Sequence, residues 1–129
     1  MSQQPVITPE MEVEAQRHQE LQAEINELAA GRQKQLSQLN ENTMVKQEMD
    51  LISGDAVVFK KIGPTLVRQD LDTAKDWISK RMEYVEKAIK NVDKQIGTKQ
   101  EELQAVEDRV AKMQEEAQKA AAAAAAQAQ

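Results

Sequence analysis

Val57-Val58-Phe59-Lys60-Lys61-Ile62-Gly63-Pro64-Thr65-Leu66-Val67 is an island of β-branched and apolar residues between two long, glycine-poor and proline-free helical stretches of similar length. Proline lacks an amide donor and glycine tolerates unusual backbone angles, so Gly63-Pro64 reads as the turn of a hairpin with strands in Asp55 to Ile62 and Thr65 to Arg68. A hairpin between two helices of similar length folds the second back along the first. An isolated two-stranded hairpin is marginal in water. Val57, Val58, Phe59, Ile62, Leu66 and Val67 therefore call for strands that one chain cannot supply, and the expectation is assembly through this hairpin.

The stretch after the island carries the clearest periodicity. Ile78, Met82, Val85, Ile89, Val92, Ile96, Lys99, Leu103, Val106, Val110 and Met113 recur at alternating steps of four and three, and only Lys99 breaks the apolar run. Such a stripe, averaging about 3.5 residues per repeat, marks a helix packed along its length on a partner helix. Asp70 is placed to cap its start, and Asp72 suits the positive end of the helix dipole.

The stretch before the island is a weaker partner. Thr8 ahead of Pro9 predicts a helix start, with proline tolerated in the first turn, and Gly54 predicts a stop after about Ser53. Its seam reads His18, Leu21, Ile25, Leu28, Arg32, Gln35, Leu39, Asn42, Lys46 and Met49, half of it polar. A shift of phase through Leu36, Thr43, Val45 and Ile52 is an equal alternative, because an inserted four-residue step locally unwinds a supercoil.

The expected fold is thus mainly α: two long antiparallel helices forming a coiled coil, joined by a single β-hairpin. The boundaries are an irregular lead-in over 1–8, a helix over about 9–53, the hairpin over about 55–69, a helix over about 70–119 and an Ala/Gln-rich tail over 120–129. Alanine favours helix, but the tail has no large side chain to bury, so it reads as a fraying extension or a disordered end. Folding back about Ile62 and Gly63 sets Leu21 against Leu103, Leu28 against Ile96, Leu39 against Val85 and Met11 against Met113. At 1.5 Å of rise per residue such helices reach about 65 to 75 Å.

Composition agrees with a thin fold. Phe59, Trp77 and Tyr84 are the only aromatic residues among 129, and 30% of the chain is charged, so no thick aromatic core is available. With no cysteine, disulfides, thiolate metal sites and a cysteine nucleophile are excluded. No apolar run approaches the roughly 18 residues of a membrane span, and the start lacks the pattern of a signal peptide. Net charge is -5 with no basic run, so neither nucleic acid nor a membrane is an expected partner. Residues 1–55 hold ten acidic and four basic residues while 56–129 hold twelve and thirteen, an asymmetry that favours pairing the two helices. Without a phosphate loop or a His constellation, no catalytic site, cofactor or metal is expected. His18 is a lone histidine without a second ligand at i+3 or i+4, Asp70-Leu71-Asp72 reads as capping, and Trp77 and Tyr84 are expected to pack at the hairpin end of the second helix. Lys60 and Lys61 beside Phe59 read equally as a basic patch or as solvent-facing strand positions.

The segment VVFKKIGPTLVRQDLDTAKDWISKRMEYVEKAIKNVDKQI, residues 57–96, closely resembles the β-type subunits of prefoldin. A Gly-Pro hairpin turn, a strand, an acid-capped helix start and a Tyr-containing seam occur there in order, and the likeness extends in pattern over about 9–113. The resemblance implies a hetero-hexamer of two α-type and four β-type subunits whose hairpins build a β-barrel platform. It further implies capture of unfolded polypeptides, actin and tubulin chains among them, and their transfer to the cytosolic group II chaperonin without ATP. Met11, Val13, Leu21, Val106, Val110 and Met113 are then the expected client-contact tip, since His18 facing Val106 and Glu14 facing Val110 leave the seam thinly covered. Methionine suits varied partners, and several weak arms acting on one chain raise affinity. The competing expectation is a structural coiled-coil adaptor or tether, which has no use for so apolar a hairpin.

Overall fold

The computed structural model describes residues 7–128, so the expected lead-in lies outside the described residues up to residue 6, as does Gln129. The order is helix α1 (Pro9–Leu51), strand β1 (Val58–Ile62), strand β2 (Thr65–Gln69) and helix α2 (Leu71–Gln127). The chain divides into two compact units, Met1–Ala29 with Lys94–Gln129 and Ala30–Asp93.

Helix α1 starts on the side-chain cap that the sequence provides. The Met11 amide donates to Thr8 Oγ1 at 3.2 Å, satisfying a donor that a helix start leaves unpaired, and the Glu12 amide makes the first helical bond, to the Thr8 carbonyl at 3.1 Å. Asp70 precedes α2, and its carbonyl accepts the Ala74 amide at 3.0 Å. The end of α1 falls at Leu51 rather than Ser53. Ser53 turns the chain there, its carbonyl accepting the Ala56 amide at 2.9 Å and its hydroxyl the Asp55 amide at 3.4 Å. Gly54 keeps a negative φ, and Gly63 is the glycine with positive φ. At the far end α2 continues through the alanine tract, where the Ala128 amide still reaches the Ala124 carbonyl at 3.2 Å, as alanine's helix propensity allows.

In the unit built from 7–29 and 94–128, Met11, Leu21 and Ile25 of α1 and Val106 of α2 are buried. Cross-helix pairs set the direction: Glu14 with Arg109 at 3.1 Å, His18 with Glu107 at 3.1 Å and Glu24 with Lys99 at 2.8 Å. As numbers rise along α1 they fall along α2, so the helices are antiparallel, and these pairs bracket the expected Leu21 and Leu103. Each pair is partly exposed and contributes little alone; burial of a leucine such as Leu21 stabilises by about 1.5 to 3 kcal/mol.

In the unit Ala30–Asp93, Leu71, Ala74, Ile78, Val85 and Ile89 form the buried stripe of α2, and Asp50–Lys75 and Arg32–Asp93 pair the helices at 3.7 and 2.6 Å. The phase of α1 is resolved here. Arg32, Gln35, Leu39, Asn42, Lys46 and Met49 are all half-buried, whereas Val45 and Ile52 are exposed. The heptad therefore continues without a shift, and Leu36 and Thr43 lie half-buried on its flank. Long cationic side chains make this possible by laying apolar stems in the seam and carrying the charge outward, as Arg32 does to Asp93. Gln35 bears a cost, its Oε1 being buried without a hydrogen-bond partner.

Lys99, the polar break in the α2 stripe, is half-buried and donates to Glu24 Oε2 at 2.8 Å. That hydrogen bond holds the Glu24 carboxyl below its ordinary range. Glu24 thus contributes to stability above that ordinary range and ceases to as pH falls through its lowered value. A seam position is worth more to an apolar side chain than to a half-desolvated ion pair. Lys99→Leu is expected to raise the melting temperature by seating an apolar side chain in the seam and to flatten the acid limb of stability, which thermal melts across pH will read.

Candidate functional site

The hairpin presents the apolar surface. β1 and β2 pair antiparallel, with Val58 opposite Gln69, Phe59 opposite Arg68, Lys60 opposite Val67, Lys61 opposite Leu66 and Ile62 opposite Thr65. Opposed residues share a face and successive residues alternate. One face therefore carries Val58, Ile62 and Val67 beside Lys60, and the other carries Phe59 and Leu66 between Lys61 and Arg68. Phe59 (56%), Ile62 (55%) and Leu66 (65%) are the most exposed of these, with Val67 exposed too and Val58 half-buried. Val57 is exposed but lies just before β1. Gly63 takes φ 58° at the turn, a conformation that favours glycine, and Pro64 follows it where no ladder donor is required. Two apolar faces on two strands leave nothing within the hairpin to cover either.

The residues expected at the tip are placed unequally. Val13 is 67% exposed, while Val110 and Met113 are half-buried. Met11, Leu21 and Val106 are closed over, which corrects the expectation of thin cover there. Glu14 and His18 do not simply oppose valines; they reach Arg109 and Glu107, so their stems roof the seam. What opens instead is a groove of about 320 Å³ lined by Ala15, His18, Glu107, Val110, Ala111 and Gln114. The small residues Ala15 and Ala111 make it, and two alanines beside a seam were the sequence signal available for it.

Trp77 and Tyr84 stand beside the buried stripe at the hairpin end of α2, and Trp77 meets the hairpin through Lys60. Each precedes a buried seam residue, Ile78 and Val85, by one position, about 100° around the helix, and so lies on the flank of the seam; Trp77 is 47% and Tyr84 66% exposed. Lys60 is half-buried, with Nζ 4.4 Å from the centre of the Trp77 ring. Among the described residues no group of three or more His, Cys, Asp or Glu side chains is arranged to hold a metal ion, and no helix is long and apolar enough to cross a membrane.

Two long antiparallel helices separated by one two-stranded hairpin define the prefoldin β-type fold. The prefoldin beta subunit from Thermococcus strain KS-1 matches with a TM-score of 0.78 over 83% of this chain and 94% of that one, at 20% identity. A profile described as Prefoldin subunit matches residues 12–117, and the chain belongs to the prefoldin subunit family. It is 36% identical to prefoldin subunit 6 of Homo sapiens over 118 residues, 92% of each chain. It is 35% identical to prefoldin subunit 6 of Saccharomyces cerevisiae over 97 residues, covering 75% of this chain and 85% of that one. The likeness read over residues 57–96 thus extends along most of the chain.

Proposed function

We propose that this chain is one β-type arm of a hetero-hexameric co-chaperone, assembled through its hairpin with α-type and other β-type prefoldin subunits. The observation that carries the proposal is the hairpin itself, whose two strands bear exposed apolar side chains on both faces. Such a surface is a liability in a free chain and is relieved by added strands. The assembly works in the cytoplasm, holds unfolded polypeptides, actin and tubulin chains among them, and passes them to the group II chaperonin without ATP. Nothing in this arm performs chemistry; it binds weakly, and several arms on one client supply the affinity.

Client contact is assigned to Val13 and to the groove that Val110 lines, with Met113 beside them. Met11, Leu21 and Val106 support that surface from beneath. The test is native mass spectrometry of the chain mixed with the other five subunit types, followed by light scattering of a denatured client diluted into the product. A hexamer containing one copy of this chain that suppresses aggregation is the expected result; a monomer or dimer indifferent to those subunits would leave the tether in its place. Because Val13 is exposed, Val13→Asp is expected to change stability by no more than about 0.5 kcal/mol and to leave assembly intact. It should nonetheless weaken suppression of client aggregation, and full suppression by that variant removes the site from Val13.

A further inference from the structure

Hexamer assembly through the hairpin accounts for Phe59, Leu66 and their neighbours, but not for the aromatic residues on α2. Trp77, Arg81 and Tyr84 stand at i, i+4 and i+7 and so share one face of the helix. Both rings are exposed and both carry a cation: Lys60 Nζ lies 4.4 Å from the Trp77 ring centre and Arg81 Cζ 5.5 Å from that of Tyr84. Large rings left at a surface and held in place by cations are the composition of an interface centre rather than of a solvated helix face.

Lys60 also says which side of the hairpin this face adjoins. Its opposite residue is Val67, and Ile62 lies two positions along the same strand face. The hairpin face that meets Trp77 is therefore the one bearing Ile62 and Val67, and the apolar surface runs from those residues through the Lys60 stem onto Trp77 and Tyr84. Among the described residues, neither Lys60 nor Arg81 has a carboxylate within salt-bridge distance, whereas the adjacent Lys80 is paired with Asp76 at 2.9 Å.

We propose that Trp77 and Tyr84 form a docking strip that seats the neighbouring prefoldin subunit, receiving a segment in which aliphatic side chains alternate with carboxylates. The aliphatic groups cover the rings, and the carboxylates pair with Lys60 and Arg81. The strip rests on the hairpin-mediated assembly proposed above and adds a helix-borne contact to it. Continuity with the hairpin favours a subunit over a client chain as the occupant.

Trp77 is the single tryptophan of the chain, which permits a direct test. The chain is produced with 5-hydroxytryptophan at this position, which can be excited apart from ordinary tryptophan in the other subunits, and quenched with acrylamide before and after assembly. Quenching is expected to fall several-fold in the hexamer. In parallel, the Trp77→Ala/Tyr84→Ala chain should keep its helical circular dichroism alone and enter the hexamer roughly tenfold more weakly, a typical loss for an interface anchor. A wild-type hexamer with unchanged quenching overturns the strip and leaves the hairpin reading standing, and so does quenching that falls only when a client is added. Undiminished assembly of the double variant overturns it likewise. Failure of the wild-type chain to assemble removes both proposals together. The quenching arm needs no substitution, so a misfolded variant does not blunt the test.

Discussion

Phe59→Asp and Val67→Asp are each expected to abolish incorporation of the chain into a hexamer while leaving its helical content nearly unchanged. The two positions test opposite faces of the hairpin, because Phe59 pairs with Arg68 and Val67 with Lys60. Neither side chain is deep in this chain: Phe59 is 56% and Val67 41% exposed, so each variant loses little that the isolated fold uses. In the proposed assembly the same positions are closed by other strands, and a carboxylate there is desolvated without a partner, at a cost of several kcal/mol. Circular dichroism reads the first part of the expectation and native mass spectrometry the second. Normal hexamers from both variants would end the hairpin proposal; normal hexamers from one would show which face stays wet.

A second large effect is expected from Leu21→Asp. Leu21 has 0% and Val106 1% relative exposure, and among the described residues they are the largest fully buried side chains. Replacing Leu21 with aspartate removes the burial and leaves a charge in the seam with Glu24 nearby on the same helix. The loss is about 4 kcal/mol or more, enough to melt the helix pair formed by 7–29 and 94–128. Leu103→Lys is the graded control. Leu103 is only half-buried, and a lysine can carry its charge outward along its stem, so a smaller fall in melting temperature is expected. If Leu21→Asp melts like the wild type, the seam assignment of α1 is wrong.

The sequence disclosed most where one rule acted alone. The α2 stripe from Ile78 to Met113 follows a strict heptad, and the structure buries or half-buries every one of its residues. Thr8 and Gly63 were readable because capping and positive φ depend on few atoms. Legibility failed where two side-chain properties competed. The phase of α1 could not be read because Arg32, Gln35 and Lys46 look wrong for a seam by polarity and right by stem length. The exposure of Trp77 and Tyr84 was not legible, because positions one residue before Ile78 and Val85 lie on the flank of the seam, where periodicity does not decide burial. At the expected tip, polar Glu14 and His18 promised exposed valines, and only their partners Arg109 and Glu107 explain why Val106 is covered. Those partners lie on the other helix, beyond the reach of any local pattern.

The cross-helix charges also bear on folding errors. An apolar heptad repeats itself, so sliding one helix past the other by seven residues still sets apolar against apolar and is barely opposed by the seam. The charged flank is not periodic in this way. In the native alignment Glu14 meets Arg109 and Arg17 meets Glu102. A slip of seven in one direction brings Glu14 to Glu102; in the other it brings Glu14 to Glu116 and Arg17 to Arg109. Each misalignment thus trades an attraction for a repulsion, and the wrong alignments are penalised although the pairs add little to the right one. Such a proofreading role is weakened by salt, since exposed charges are screened, so refolding at high ionic strength should yield a larger fraction of slipped chains even where the native melting temperature hardly moves.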